Sequence, residues 1–135
     1  MAPKVCPIVS RISDGTAELL AFRHPSGGRQ FVKGGIKKGE SPPEAALREL
    51  EEESGIVASP DPVKVGEARI GSSVWHFFAV QTEGLPDRWD YQTRDDFGHV
   101  FSFFWHPLAE DLDEEWHPQF HRALEVIRRS LVCDR

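Results

Sequence analysis

The chain has 135 residues, of which 39% are hydrophobic and 28% are charged, so it is long enough for one domain with a buried core. Its formal net charge of −6 argues against a surface built as a whole to hold nucleic acid, and an anionic ligand would need a local cationic site. We therefore expect a single domain over residues 1–135 that forms no stable nucleic-acid complex.

Two features favour a cytoplasmic protein. The first residues, MAPKVCPIVS, lack the apolar run of a signal peptide, and every other apolar run is far shorter than a membrane span. The two cysteines, Cys6 and Cys133, have no metal-ligand spacing, which favours reduced thiols. We expect no membrane partner, and the sequence leaves both a monomer and a homodimer open.

The N-terminal region predicts a β-hairpin. Residues 4–12 and 17–23 are rich in Val, Ile, Leu and Phe, and the segment SDGT between them is typical of a turn. Pro7 indicates an edge position or a bulge, because proline cannot donate to a sheet ladder. The segment HPSGG then predicts a loop, and RQFV predicts a short strand that leads to the next glycines.

A helix over about residues 42–54 is the best-defined element of the sequence. Ser41 and Glu44 have the spacing of a capping box, Pro42 takes the first helical position, and Gly55 follows the last one. At about 100° per residue, one side of this helix is predicted to pack on the sheet. That side carries Pro43, Leu47, Leu50 and Ser54.

Another side of the same helix concentrates negative charge. Glu49, Glu52 and Glu53 share an arc of about 100°. An acidic run is commonly only a solvated face, but Glu49 and Glu53 stand at i and i+4, where like charges destabilise a helix by about 0.2–0.5 kcal/mol. An oxygen-only cluster suits Mg²⁺, with Mn²⁺ as a substitute, and a bound ion would offset the repulsion. The three glutamates are therefore candidate metal ligands.

The segment before the helix has the opposite charge. It carries Arg23, Arg29, Lys33, Lys37 and Lys38, with glycines between them. Such glycines allow a backbone to approach a ligand closely. A cationic loop beside an acidic helix indicates a phosphate chain that is bridged to metal. We therefore expect Arg23, Arg29, Lys33 and Lys37 to bind the substrate.

The C-terminal half predicts two strands and a helix. Residues 73–81 look buried on both faces, as in an inner strand, and HVFSFFW predicts the last strand. Residues 83–98 carry turn formers and charges, which indicates a long loop near the functional surface. An amphipathic helix is predicted by the spacing of Phe120, Ala123, Leu124, Ile127 and Leu131. Strands mixed with two helices indicate a layered α/β domain.

Two other groups of residues are weaker candidates. His117 and His121 have a zinc-compatible spacing, but no third ligand lies nearby in the sequence. Trp75, Phe77 and Trp89 are able to stack a nucleobase, whereas aromatic residues in strands are more often core residues. The acidic helix is the one sharply defined site.

Residues 34–56 form a complete Nudix box, and the chain is therefore similar to the Nudix hydrolases. The family pattern G-x5-E-x7-R-E-U-x-E-E-x-G-U, in which U is a bulky aliphatic residue, is filled at all nine fixed positions. These positions hold Gly34, Glu40, Arg48, Glu49, Leu50, Glu52, Glu53, Gly55 and Ile56. The resemblance implies an α/β/α sandwich around a mixed β-sheet. It also implies hydrolysis of a phosphoanhydride bond in a nucleoside diphosphate linked to another moiety.

The resemblance also implies roles for single residues. Its metal ligands would be Glu49, Glu52, Glu53 and the Gly34 carbonyl. Glu40 and Arg48 would form an ion pair that braces the loop against the helix, and Arg48 is equally a candidate for a direct catalytic part. A helix carboxylate, Glu52 or Glu53, or a group of the 87–99 loop, would take the proton from water.

The substrate stays open at this point. The commoner form of the box begins P-G-G, whereas Lys33 precedes the glycines here, which resembles the dinucleoside polyphosphate hydrolases. Those usually have His where this chain has Gly35. We expect a nucleoside or dinucleoside polyphosphate, with ADP-ribose, a nucleotide sugar or a catalytically silent nucleotide-binding regulator as alternatives. In place of the glutamate that some members supply before the last strand, the loop offers Asp95, Asp96 and His99.

Overall fold

The computed structural model describes residues 2–94 and 97–133, with side chains up to residue 131. Asp95 and Asp96 therefore lie outside the described residues. The strands are β1 (Lys4–Ile8), β2 (Ser10–Ser13), β3 (Thr16–His24), β4 (Gly28–Gln30), β5 (Gly34–Gly35), β6 (Val63–Ile70), β7 (Ser73–Ala79), β8 (Trp89–Gln92) and β9 (Val100–Pro107). The helices are α1 (Pro42–Ser54) and α2 (Pro118–Cys133). Within the described ranges, no helix has the length and apolar character needed to span a membrane.

The strands form two sheets. One is mixed, in the order β5-β1-β7-β6, with β1 parallel to β7 and the other pairs antiparallel. The other is antiparallel, in the order β2-β3-β9-β8, and β4 also pairs with β3. The predicted mixed sheet is present, but it is one of two sheets between the helices.

The predicted single strand over residues 4–12 is wrong, because the chain changes sheets at Val9. The Ile8 carbonyl accepts a hydrogen bond from Val80 in the mixed-sheet region, whereas the Val9 carbonyl accepts one from Leu20 in the antiparallel sheet. The hairpin itself joins β2 to β3 through a turn at Asp14 and Gly15. The buried pattern of β1 gives way to the exposed and half-buried pattern of β2 at this point, a change that the sequence interpretation did not use.

Pro7 lies at a point where β1 has a partner strand on one side only, in agreement with the predicted edge position. It pairs with Phe78 of β7, while β5 pairs only with Lys4 and Val5. The side of β1 that faces away from β7 therefore has no ladder at Pro7, so the missing N–H interrupts no pairing on that side.

Alternation along the strands places one helix on each side of the sheets. On β3, Leu19 and Ala21 join a buried cluster with α2 residues, whereas Leu20 and Phe22 join a cluster with Leu50 of α1. The two-residue period of a strand sends successive side chains to opposite faces. The predicted α/β/α arrangement is therefore confirmed.

The predicted strands over 73–81 and at HVFSFFW, and the amphipathic C-terminal helix, are confirmed as β7, β9 and α2. Trp75 and Phe77 belong to the buried core, so they are not available to a ligand.

The sequence interpretation missed β6, and it also missed β8 inside the predicted loop over 83–98. The indole of Trp89 connects β8 to its neighbours. Its ring stacks on Phe103 at 5.0 Å, and its Nε1 donates a hydrogen bond to the carbonyl oxygen of Ser54.

Helix α1 has the predicted bounds and caps. The N–H of Glu44 donates to the Ser41 hydroxyl, and the N–H of Ser41 donates to the Glu44 carboxylate. Its fully buried residues are Ala45, Ala46, Leu50 and Ser54. The buried surface is broader than the predicted side because Ala45 and Ala46 pack against the mixed sheet while Leu50 packs against the antiparallel sheet.

The C-cap of α1 gives the first testable prediction. Gly55 has φ +80°, and a Cβ there would lie 2.6 Å from Cε1 of Tyr91. Gly55→Ala is expected to lose about 1 kcal/mol from the left-handed backbone and a further ~1–3 kcal/mol from overpacking. Gly39→Ala is the matched control, because Gly39 has φ +82° but no other described heavy atom within 4 Å of its Cβ position. Urea unfolding measures both, and equal losses would contradict the Tyr91 contact.

Candidate active site

A cleft lies between the acidic side of α1 and the antiparallel sheet. Its volume is about 470 Å³. The side chains that line it are Phe22, His24, Gln30, Lys33, Glu49, Glu52, Glu53, Thr93 and Phe101. The structure thus brings the three glutamates of α1 into one cavity with strand residues that are distant in the sequence.

Gly34 is in close contact with the first of these glutamates. A Cβ at Gly34 would lie 2.0 Å from Cδ of Glu49, a distance that no side chain tolerates. The absent side chain therefore lets the Glu49 carboxylate rest against the backbone of β5, beside the carbonyl that was expected to bind metal.

Arg48 connects the loop before α1 to the acidic side of the helix. Its Nε and Nη2 donate to the two oxygens of Glu40 at 2.7 and 3.0 Å, and Nη2 also donates to the Gly35 carbonyl at 2.9 Å. Its Nη1 donates to Oε1 of Glu49 at 2.9 Å and to Oε1 of Glu52 at 3.1 Å. These bonds use all five N–H groups of the guanidinium, and the expected Glu40–Arg48 ion pair is present.

The charges of this pair are fixed by their mutual contact. The hydrogen bonds from Arg48, and then the one from the backbone N–H of Lys37, lower the pKa of Glu40 to about 2. The same contact with Glu40 raises the pKa of Arg48 above its ordinary value, although burial acts in the opposite direction. Both groups are therefore ionised throughout the neutral range.

Lys33 supplies positive charge to the cleft. Its Nζ lies 5.6 Å from the centre of the Trp75 ring, a geometry that favours a cation. Burial lowers the pKa of Lys33, and repulsion by Lys4 lowers it further, while Glu53 and Glu49 act in the opposite direction. Lys33 is thus the predicted substrate-binding residue that lines the cleft.

The other predicted substrate-binding residues lie elsewhere, which corrects that expectation. Arg23 and Arg29 are cross-strand partners on the face of the antiparallel sheet opposite the cleft, because strand alternation turns them away from Phe22. Both pair with Glu115, at 3.2 and 3.6 Å. Lys37 is exposed in the turn before α1, and its backbone N–H donates to Glu40.

Five cleft residues were not found from the sequence: Phe22, His24, Gln30, Thr93 and Phe101. The Phe22 and Phe101 rings stack with centres 4.4 Å apart, and Gln30 is the cross-strand partner of Phe22. Nδ1 of His24 accepts a hydrogen bond from the backbone N–H of Ser26 at 3.0 Å. Side chains alternate between the two faces along β3, so Phe22 and His24, on either side of Arg23, lie on the same face. This alternation was the sequence signal that could have identified them as cleft residues.

The residues present fit a hard divalent cation by their chemistry. The cleft offers the carboxylate oxygens of Glu49, Glu52 and Glu53, which are the donors that Mg²⁺ and Mn²⁺ prefer. Among the described residues, no three carboxylate, imidazole or thiolate groups already form a metal centre. One oxygen each of Glu49 and Glu52 is instead directed to Arg48.

Among the described residues, the histidine pair outside the cleft belongs to no group of three side chains that could hold a metal ion. Nε2 of His121 lies 3.1 Å from the carbonyl oxygen of Asp113, and Nδ1 of His117 accepts a hydrogen bond from the N–H of Gln119. Both rings are thus engaged with backbone groups.

The Glu40 contact gives a prediction of pH dependence. Its pKa of about 2 lies below the ordinary value of 4.5, so the stability that its charge contributes is fully present above pH 4.5. That contribution is lost as the pH falls toward 2. Glu40→Gln should therefore melt below the parent at neutral pH, and the difference should shrink between pH 4.5 and 2. Thermal melts across this range test it, with the exposed Glu51→Gln as control; a difference that is independent of pH would contradict the assignment.

Comparisons with known proteins agree with this fold. The model of the NUDIX domain family matches residues 5–126. No curated protein matches the chain. A Caenorhabditis elegans Ap4A hydrolase in a binary complex is similar in structure, with 16% identity, a TM-score of 0.66 and coverage of 98% of this chain and 99% of that one. MutT, from a study of Aliivibrio salmonicida and Vibrio cholerae, has 25% identity, a TM-score of 0.66 and coverage of 99% and 98%.

A third similar protein is NrtR of Shewanella oneidensis. Its NUDIX domain complexed with ADP ribose has 18% identity, a TM-score of 0.65 and coverage of 97% of this chain and 88% of that one. NrtR complexed with a 27mer DNA also matches, with 17% identity and a TM-score of 0.65; 98% of this chain and 63% of the NrtR chain are covered. The family match over residues 5–126, together with the box on α1, shows that this chain belongs to the NUDIX domain family of hydrolases acting on phosphoanhydride bonds.

Proposed function

We propose that the chain is a divalent-metal-dependent pyrophosphohydrolase that cleaves a nucleoside or dinucleoside polyphosphate. The observation that carries this proposal is the set of charged side chains that line the cleft. Three carboxylates from one side of α1 face the ammonium group of Lys33 in a single cavity. Such a cavity, taken alone, repels a polyphosphate, because negative charge predominates among its described residues.

The three glutamates, with the carbonyl of Gly34, would hold the metal. Bound Mg²⁺ or Mn²⁺ neutralises phosphate oxygens and lowers the pKa of a coordinated water. The chain's own residues prepare the site for this. Arg48 fixes one oxygen each of Glu49 and Glu52, so the orientation of these carboxylates is set before substrate arrives.

Lys33 and one of the helix carboxylates act on the substrate side of the proposal. The ammonium group of Lys33 is placed to contact a phosphate oxygen. Glu52 or Glu53 accepts the proton of the attacking water, because each has a carboxylate in the cleft. Arg48 has no N–H group left for a phosphate, which supports a positioning role over direct contact with the reacting atoms.

The proposed substrate class rests on Lys33. An ammonium before the box glycines adds a contact for a long phosphate chain, which favours polyphosphates over ADP-ribose or a nucleotide sugar. The net charge of −6 favours a small nucleotide over nucleic acid as the ligand. A regulator without turnover is disfavoured by the retention of all three carboxylates.

A substrate panel tests the proposed function. Nucleoside triphosphates, dinucleoside tetraphosphates, ADP-ribose and a nucleotide sugar are each incubated with the protein, and the products are separated by anion exchange. Activity should disappear in EDTA and return with Mg²⁺ or Mn²⁺, and Ca²⁺ should support less turnover because its bonds are longer and its geometry looser. Full activity after verified metal removal would exclude this mechanism.

Glu53→Gln is expected to separate catalysis from folding. The change removes the repulsion between like charges at i and i+4, which is worth about 0.2–0.5 kcal/mol. It also removes the attraction between Glu53 and Lys33, so the unfolding free energy should stay close to that of the parent. The rate should fall by about 10²–10⁴, because an amide is a poorer metal ligand and accepts no proton. Kinetics on the best panel substrate and thermal melts measure the two effects. Glu51→Gln on the exposed side is the control, and an unchanged rate in Glu53→Gln would remove Glu53 from the mechanism.

A further inference from the structure

A second cavity lies on the face of the antiparallel sheet opposite the cleft, and we call it the rear cavity. Its volume is about 350 Å³, which is in the range of pockets that hold small molecules. Three guanidinium groups line it, those of Arg23, Arg29 and Arg88. The proposed hydrolysis uses none of them, and the rear cavity shares no lining residue with the cleft.

Strand register fixes the positions of the donors in the rear cavity. Arg29 of β4 pairs with Arg23 of β3, and Arg23 pairs with Ser102 of β9. Neighbouring strands lie about 4.8 Å apart, so two guanidiniums and a hydroxyl follow one another across three strands. The Arg29 guanidinium lies 5.2 Å from the centre of the Phe104 ring, a contact that favours a cation. These donors therefore stand on a rigid sheet and not on a loop.

Positive charge exceeds negative charge in the lining of the rear cavity. Arg23 and Arg29 are directly opposite on paired strands, where like charges are destabilising. Among the described residues that line the cavity, Glu110 is the one carboxylate, and the exposed Asp90 of β8 does not line it. Arg88 forms no hydrogen bond or ion pair within residues 2–94 and 97–133. The lining therefore carries an excess of guanidinium charge that an anion would balance.

A carboxylate of the chain shows how an anion sits at the arginine pair. Oε1 of Glu115 accepts a hydrogen bond from Nη2 of Arg23 at 3.2 Å, and its Oε2 lies 3.6 Å from Nη2 of Arg29. The two oxygens of one group thus bridge two guanidiniums. The side chains of Arg23 and Glu115 are 58% and 46% exposed, and exposed ion pairs contribute little to stability. An anion with a higher charge can therefore displace Glu115.

We propose that the rear cavity is a phosphate-binding site, in which a phosphate group takes the place of the Glu115 carboxylate. The phosphate bridges Arg23 and Arg29 and also contacts Arg88. It has more acceptor oxygens than a carboxylate, and guanidinium forks match it in bidentate geometry. The Ser102 hydroxyl in the lining offers a further donor. The volume of the cavity suits inorganic phosphate or a small phosphate ester.

Titration with inorganic phosphate in EDTA, at constant ionic strength, tests the site without metal in the cleft. Binding is followed by NMR in the parent and in three variants. Arg23→Gln and Arg88→Gln should each weaken phosphate binding by about 5- to 100-fold, the range expected for a charged hydrogen bond. Glu115→Gln should strengthen it by about three- to tenfold, because the competing negative charge is removed.

Glu114→Gln and Lys33→Met are the matched controls. Glu114 is an exposed neighbour of Glu115, so its variant has the same net charge as Glu115→Gln. Lys33 lines the cleft. Both controls should change phosphate affinity by less than about twofold, because ions in solution screen distant charges. Equal strengthening by Glu114→Gln and Glu115→Gln would overturn the proposal, since net charge alone would explain it. Loss of binding in Lys33→Met would place the phosphate in the cleft and overturn it as well.

Two further results would contradict the site. One is undiminished affinity in both Arg23→Gln and Arg88→Gln, whose melting temperatures should stay close to that of the parent because both side chains are exposed. The other is the absence of saturable binding in both the parent and Glu115→Gln. Ribose 5-phosphate identifies the source of the phosphate group: tighter binding than inorganic phosphate supports an ester, and equal binding supports the free ion. No turnover is measured, so the result is independent of whether the chain hydrolyses nucleotides.

Discussion

One guanidinium group holds the candidate site together. Arg48 is only 19% exposed, and its five donors meet acceptors from two different parts of the chain. Glu40 and Gly35 belong to the segment before α1, whereas Glu49 and Glu52 belong to the helix. A charged donor in this position offsets repulsion among the helix carboxylates and fixes their direction. Lysine would keep the charge but would lack the planar fork that reaches both sides.

Elements with local signals were predictable from the sequence. α1 has the predicted bounds because its capping box and its C-terminal glycine act within a few residues of the helix ends. α2 followed from its helical periodicity, and β9 from the segment HVFSFFW. The change of sheets at Val9 was not predicted, because hydrogen-bond partners distant in the sequence decide where each residue pairs. β8 has four residues and depends on Trp89 reaching Phe103 and Ser54.

The same distinction applies to the site. The glutamates lie on one helix, so their spacing alone placed them together. The opposite wall depends on the register of β3 with β4 and β9, which joins Phe22 to Gln30 and to Phe103. Arg23, Arg29 and Lys33 are close in the sequence, so all three were predicted to bind the substrate. Strand alternation places the two arginines on the face opposite the cleft, and Lys33 alone of the three lines it.

The arginine pair behind the sheet has a mechanical consequence for the cleft. The N–H of Arg29 donates to the carbonyl of Glu115, and a Cβ at Gly28 would lie 2.4 Å from that same oxygen. The loop that precedes α2 therefore lies along the edge of β4, where Arg29 and Trp116 form a parallel bridge, next to Gln30 of the cleft wall. Sequence changes in the 113–116 segment can thus move a wall of the cavity without touching any bound molecule. Residues at the edge of the sheet that do not line the cleft thus contribute to its shape.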